Sequence, residues 1–149
     1  MREIKFRGRD ASTFENAGWV YGFLVMRYAP YVNTEFTERI GTAECPYIVR
    51  TEETLEPQWT PVSPNTVGQY TGLKDKNGRE IYEGDVVATV ENGCRYVQEV
   101  AWSDAVRDRP GFLFRGHGCG PVFHDASHME VIGNIHDNPE LVDRKEFEV

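Results

Sequence analysis

The stretch HGCGPVFHDASH, residues 117–128, gathers the side chains best suited to chemistry. His117, Cys119, His124 and His128 supply nitrogen and sulfur donors of the kind that tetrahedral zinc takes. Their spacing argues against a closed metal site. His-x-Cys is not the separation found in zinc knuckles, and His124 and His128 converge on one ion only from a shared helix face. The surrounding residues read instead as loops and short strands. A glycine-rich loop with surface histidines is therefore the favoured reading, and a metal-dependent activity at these four residues is the alternative. Cys119 as a nucleophile, with His117 or His124 as its base, lacks any sign of a neighbouring oxyanion hole, and a partly buried, inert thiol is commoner. Gly-x-Ser-x-Gly, the mark of one serine-hydrolase class, is absent.

The second candidate is TGLKDKNGREIYEGDVV, residues 71–87, where Glu80, Glu83 and Asp85 offer paired carboxylates among closely spaced glycines. A phosphate-binding loop needs Gly-Lys-Ser/Thr at a helix start, which this stretch lacks. DKNG resembles the start of a calcium loop, but that pattern requires a glutamate six residues after its glycine, where Gly84 stands. Asn77-Gly78, set between Leu73 and Ile81, is instead the sequence of a two-residue β-hairpin whose central residues both take positive φ. Gly84 and Asp85 suit a second turn, with the carboxylate accepting nearby backbone N–H groups. Gly72, Asp75, Asn77, Gly78, Gly84 and Asp85 thus read as a structural turn motif, and no catalytic residue is assigned.

The elements that would position these residues are mostly strands. EIKFRGRD alternates, with Ile4 and Phe6 opposite Lys5 and Arg7. WVYGFLVMRY is apolar on both faces, which predicts a central strand, with Gly22 at a bulge or close backbone approach. Residues 30–46 read as a loop or irregular excursion. PYIVR, 46–50, is a short strand, and the prolines from Pro57 to Pro64 exclude a long helix and mark a boundary. EGDVVATVEN and CRYVQEVAW form a hairpin through Asn92-Gly93, followed by short strands at GFLFR, PVFH and MEVIGNIHD. Asn138, Pro139 and Glu140 suit the cap and first turn of a short C-terminal helix. Aromatic side chains recur through these strands. They are read mainly as core, with base stacking or peptide binding as the rival use.

With 149 residues and 40% hydrophobic content, the chain can bury a sizeable core. Its net charge of −8 argues against a protein whose main task is coating nucleic acid. A local basic cluster, Arg2, Lys5, Arg7 and Arg9, is read as a solvated strand face and terminus, with phosphate contact as the alternative. Three widely spaced cysteines suggest no disulfide framework. With neither a leader-like segment nor an apolar run of bilayer length, a cytoplasmic location without membrane contact is expected. No cofactor is implied.

SPNTVGQYTGLKDKNGREIYEGDVV together with EVIGNIHDNPELV resembles the YopX-like family of phage and prophage proteins, and MREIKFRGRD and GWVYGFLV resemble its N-terminal segments. The resemblance implies an all-β protein with a small SH3-like barrel holding the central hairpin, and it brings no established activity or catalytic residue. The fold expected is therefore mostly β. An N-terminal β segment, 1–62, packs on a barrel, 63–149, that ends in the short helix. The function expected is that of a phage or prophage accessory protein that acts by binding, as a homo-oligomer with an unknown phage or host protein as partner.

Overall fold

The computed structural model describes residues 3–12, 17–32, 39–51, 56–106, 109–116 and 126–142. The protein is mostly β and antiparallel, and its described residues divide at Val67 and Gly68 into two compact units.

The first unit carries β1 (Phe6–Arg9), β2 (Trp19–Val32), β3 (Arg39–Arg50) and β4 (Gln58–Pro61), in the order β4-β3-β2-β1. β2 lies between β1 and β3, as its two-faced apolar pattern predicts. Gly22 is there for close approach. A Cβ at this position would collide with the Val49 carbonyl oxygen and meet Ile48 Cγ2 at 3.1 Å.

One expectation fails in this unit. Residues 30–46 were expected to be irregular, yet β2 runs to Val32 and β3 starts at Arg39, paired from Phe23↔Val49 to Val32↔Arg39 with one irregularity beside Pro30. A continuous ladder to a neighbouring strand outweighs the turn preferences of Gly41, Thr42 and Glu44, because β propensity depends on context. The proline-rich stretch also contains a strand. β4 pairs with β3 from Tyr47↔Pro61 to Arg50↔Gln58, and its prolines are tolerable because it is the terminal strand in that order.

The second unit carries β5 (Gly68–Lys74), β6 (Glu80–Tyr82), β7 (Asp85–Glu91), β8 (Cys94–Val106), β9 (Arg109–Gly116) and β10 (Glu130–Asn134). β5 pairs with β6, and the other strands form a sheet in the order β10-β7-β8-β9. β7 is buried from Asp85 to Thr89, as suits an inner strand. Its Val87 joins Ile81, Val100, Phe112, Phe114 and Met129 in one apolar cluster. Trp102 and Phe112, cross-strand partners, meet edge to face at 4.9 Å. Full burial of one such valine contributes about 1.5–3 kcal/mol.

No closed barrel forms among the described residues: β9 and β10 end the sheet instead of pairing with each other. The C-terminal helix is also reduced. Among the described residues it is one 3-10 turn, Pro139–Leu141, with Asn138 and Pro139 at its start as their types suggest. Asn138 makes no side-chain cap. Its Oδ1 faces Gly133, where a Cβ would lie 2.5 Å away, so it is not over the helical N–H groups.

Gly22→Ala should cost about 3 kcal/mol of unfolding free energy in urea, at the upper end of overpacking penalties. Gly18→Ala, where no atom lies within 4 Å of the new methyl, should change stability by less than about 0.5 kcal/mol.

Candidate functional site

The glycine- and aspartate-rich motif begins with β5 and turns between Asp75 and Arg79. The Gly78 N–H donates to the Asp75 carbonyl at 3.0 Å, and the Asp75 N–H donates to the Arg79 carbonyl at 2.8 Å. Gly78 has φ 80°, whereas Asn77 is not left-handed. The connection is therefore a three-residue loop, a type I turn followed by a left-handed glycine, and not the two-residue primed turn expected from Asn-Gly. The primed turn occurs at the other Asn-Gly pair, where Asn92 and Gly93 have φ 50° and 80°.

Asp75 accounts for the difference. Its Oδ1 accepts the N–H groups of Asn77 and Arg79, each at 2.9 Å, fixing the loop from within. Its Oδ2 accepts the N–H of Val131 at 3.0 Å, 56 residues further along. The Lys76 N–H adds a bond to the Met129 carbonyl at 2.9 Å, so the hairpin is fastened to the start of β10. Asp75 is only 6% exposed. Burial pushes its pKa up, but the N–H donors of Val131, Arg79 and Asn77, helped by the Arg79 charge, outweigh burial and hold the carboxyl below the ordinary carboxylate range. The ion pair of Lys76 Nζ with Glu130 at 2.9 Å is half exposed and contributes little.

Asp85 and Asn134 play the same part at neighbouring chain reversals. Asp85, buried, accepts the Tyr82 N–H at 2.8 Å across the turn formed by Glu83 and Gly84. Gly84, at φ 88°, donates to the Val100 carbonyl and accepts from the Ile135 N–H. Asn134 Oδ1 accepts from His136 and Asp137, and its Nδ2 donates to Asp137. Gly72, also left-handed at φ 85°, lies in β5, where the pairing with β6 shifts register. Glu80 accepts the Tyr82 hydroxyl at 2.7 Å. Both oxygens of Asp75, and Oδ2 of Asp85, are thus occupied with backbone donors.

Of the remaining candidates, His117, Cys119 and His124 lie outside the described residues, as does Arg2. His128 is exposed in a turn before β10. Among the described residues, no group of three His, Cys, Asp or Glu side chains is placed to hold a metal ion. No helix among them is long and apolar enough to cross a membrane. Within the basic N-terminal cluster, Arg7 and Arg9 do not form a solvated cationic face. Arg7 is 3% exposed, with its guanidinium 4.5 Å from the centroid of Trp19. Arg9, half-buried, lies 5.1 Å from the same ring and donates to the Ala17 carbonyl at 2.8 Å. The strand alternation that points Arg7 and Arg9 one way is right, but both meet an indole on the paired strand.

A different cluster stands at the surface of the same unit. Phe23, Val49 and Trp59 form one cross-strand row, and Tyr47 lies in the next. Phe23 is 57% exposed, Trp59 47% and Tyr21 40%. The Arg27 guanidinium lies 5.8 Å from the Tyr47 ring and 5.6 Å from the Trp59 ring, which meet edge to face at 6.2 Å. Reading by residue type missed Tyr47, Trp59 and Arg27. The available signal was PQWTP, a tryptophan too large to be usual in a connector.

Residues 25–143 match the family model described as YopX protein. The chain belongs to the YopX family. A solved structure with the same fold is that of protein EF1440 from Enterococcus faecalis, at 23% identity and a TM-score of 0.53, aligned over 96% of this chain and 100% of that one. No curated protein matches the sequence. The family match spans the motif from Gly68 to Asp85 and the segment that receives Asp75.

Asp75→Asn should lower the unfolding free energy by about 2 kcal/mol near neutral pH, because the amide nitrogen or oxygen cannot replace a charged acceptor of three donors. The depressed folded pKa means that the carboxylate stabilises the protein above the unfolded value of about 4, and that this contribution is lost as pH falls through the folded value. Urea titrations should therefore show the gap between wild type and variant closing below about pH 4. A gap constant from neutral pH to pH 3 would assign the loss to packing alone.

Proposed function

We propose that this YopX-family protein is a non-catalytic, self-associating binding module, an accessory protein of a phage or prophage. The observation that carries the non-catalytic reading is the engagement of Asp75 and Asp85. A general base or metal ligand needs free lone pairs aimed at a substrate, whereas Asp75 accepts backbone N–H groups from within the fold through both oxygens and Asp85 accepts one through Oδ2. The phage or prophage assignment rests on the family resemblance.

Self-association is supported by the course of β2 and β3. β1 pairs with β2 only from Trp19 to Gly22, and β4 pairs with β3 only from Tyr47 to Arg50. Among the described strands, the β2–β3 ladder therefore continues beyond both neighbours as a two-stranded ribbon, which gains little stability alone. Its open edges offer rows of backbone donors and acceptors to another strand. On β3 that edge reads RIGTAEC, residues 39–45, without the proline or lysine that commonly guards an edge. An identical edge from a second copy can pair with it antiparallel about a two-fold axis.

Light scattering at micromolar concentration should give at least twice the 17.0 kDa chain mass. A monomer would overturn self-association. Successive N–H groups of a strand point to opposite sides, so of Thr42→Pro and Ala43→Pro one removes an outward donor and the other a bond to β2. The first should dissociate the assembly while keeping the fold, and the second should lose stability.

A further inference from the structure

We infer that the aromatic face of the N-terminal sheet around Phe23, Arg27, Tyr47 and Trp59 is a docking surface for single-stranded nucleic acid. This names the occupant for the binding-module reading and rests on it.

Strand alternation and the pairing registers put Arg7, Arg9, Trp19, Tyr21, Phe23 and Arg27 on one side of β1 and β2, with Tyr47 and Trp59 beside them on β3 and β4. Along the odd-numbered positions of these paired segments, no Asp or Glu occurs. Among the described strand positions, a chain of net charge −8 thus keeps carboxylates off one sheet face, and Arg27 stands exposed on it. Arg27 is exposed, held over Tyr47 and Trp59 by cation–π contact, so its donors stand level with rings that are themselves open to solvent. An anion that also offers flat apolar surface satisfies both features.

Single-stranded nucleic acid has that combination. Unpaired bases stack on aromatic side chains, contributing about 1–3 kcal/mol each, and an arginine beside them meets the phosphate. Tyr21 and Phe23 are two residues apart on β2, a separation of roughly 7 Å along a strand, so a base on one ring leaves the other open. A duplex hides its base faces and gains nothing from such rings. A second copy docked by this face gains no charge complementarity, because a two-fold interface sets against itself a patch whose paired strand positions carry no Asp or Glu to meet Arg27.

The test uses the full chain and fluorescence anisotropy of a labelled oligothymidine of about 20 nucleotides, a duplex of equal length and a polyglutamate peptide, over a salt series. The single strand should bind at low salt and the duplex and peptide at least tenfold more weakly. Phe23→Ala and Trp59→Ala should each weaken binding by about tenfold, the equivalent of 1.4 kcal/mol. Trp59→Phe should keep most of the affinity. Arg27→Ala should reduce the slope of log affinity against log salt by about 0.7. These side chains are exposed, and unchanged thermal melting will show that the variants fold. No single-strand binding at low salt, binding insensitive to all three positions, or equal binding of polyglutamate would each overturn the inference. If single strands do not bind and Trp59→Ala instead lowers the assembly mass by light scattering, the face belongs to a second copy: the occupant proposed here is then wrong, while the self-associating module stands.

Discussion

A carboxylate taken out of water must find hydrogen-bond donors or cost several kcal/mol, and Asp75 finds them in the backbone of two separate segments. That requirement couples the hairpin loop to β10. The loop geometry that offers Asn77 and Arg79 to Oδ1 leaves Oδ2 turned toward Val131, so one side chain serves both the turn and the long-range contact. β10 in turn pairs with β7, with Val131 opposite Val87 in the apolar cluster. A single buried charge thereby ties the local chain reversal to the core of the unit. Asp85 and Asn134 extend the same solution to the next reversals, where backbone N–H groups would otherwise lack partners.

The same physics explains which parts of the fold were legible in the sequence. β7 and β8 are β-branched and aromatic runs joined at Asn92-Gly93, and were readable from residue type and turn residues alone. Asn77-Gly78 is an identical dipeptide with a different outcome, because a preceding aspartate can accept the N–H two residues on and hold Asn77 out of the left-handed region. Dipeptide preference is local, whereas this choice depends on a side chain whose other oxygen is engaged 56 residues away. The ribbon of β2 and β3 was illegible for a related reason. Gly41, Thr42 and Pro46 carry turn-like character, and only pairing with β2 makes them strand. At the C-terminal end, Asn138 and Pro139 begin a turn as their types predict. The close approach of Asn138 Oδ1 to Gly133 is tertiary, and no local pattern encodes it.

The charged and aromatic residues divide along similar lines. The alternation of Arg7 and Arg9 was readable, but their burial against Trp19 depends on the register of β1 with β2, which places Arg9 opposite Trp19. In the second unit, Tyr70, Tyr82, Phe112 and Phe114 are core, and Tyr70 and Tyr82 stack at 5.4 Å. In the first unit, Tyr21, Phe23 and Trp59 are not. Residue type could not separate these groups, because an aromatic ring fits a strand equally well on either face.

The central turn motif and the surface rings therefore answer to different constraints. Gly68 to Asp85 and the start of β10 are fixed by the need to reverse the chain tightly and to satisfy buried polar atoms, which leaves their side chains little freedom to meet a ligand. Phe23, Arg27 and Trp59 are under no such demand: exposing large apolar rings gains nothing for folding, and Ile48, buried completely in the same sheet, supplies core without them. Tyr21 and Phe23 also precede the residues matched by the family model, which begin at 25. Arg27, Tyr47 and Trp59 lie within that match, so the surface cluster differs from the turn motif in exposure and hydrogen bonding and not in position along the chain. Under the proposed reading, a change on the exposed face of β2 and β4 would alter what the protein holds without disturbing the carboxylate on which its second unit depends.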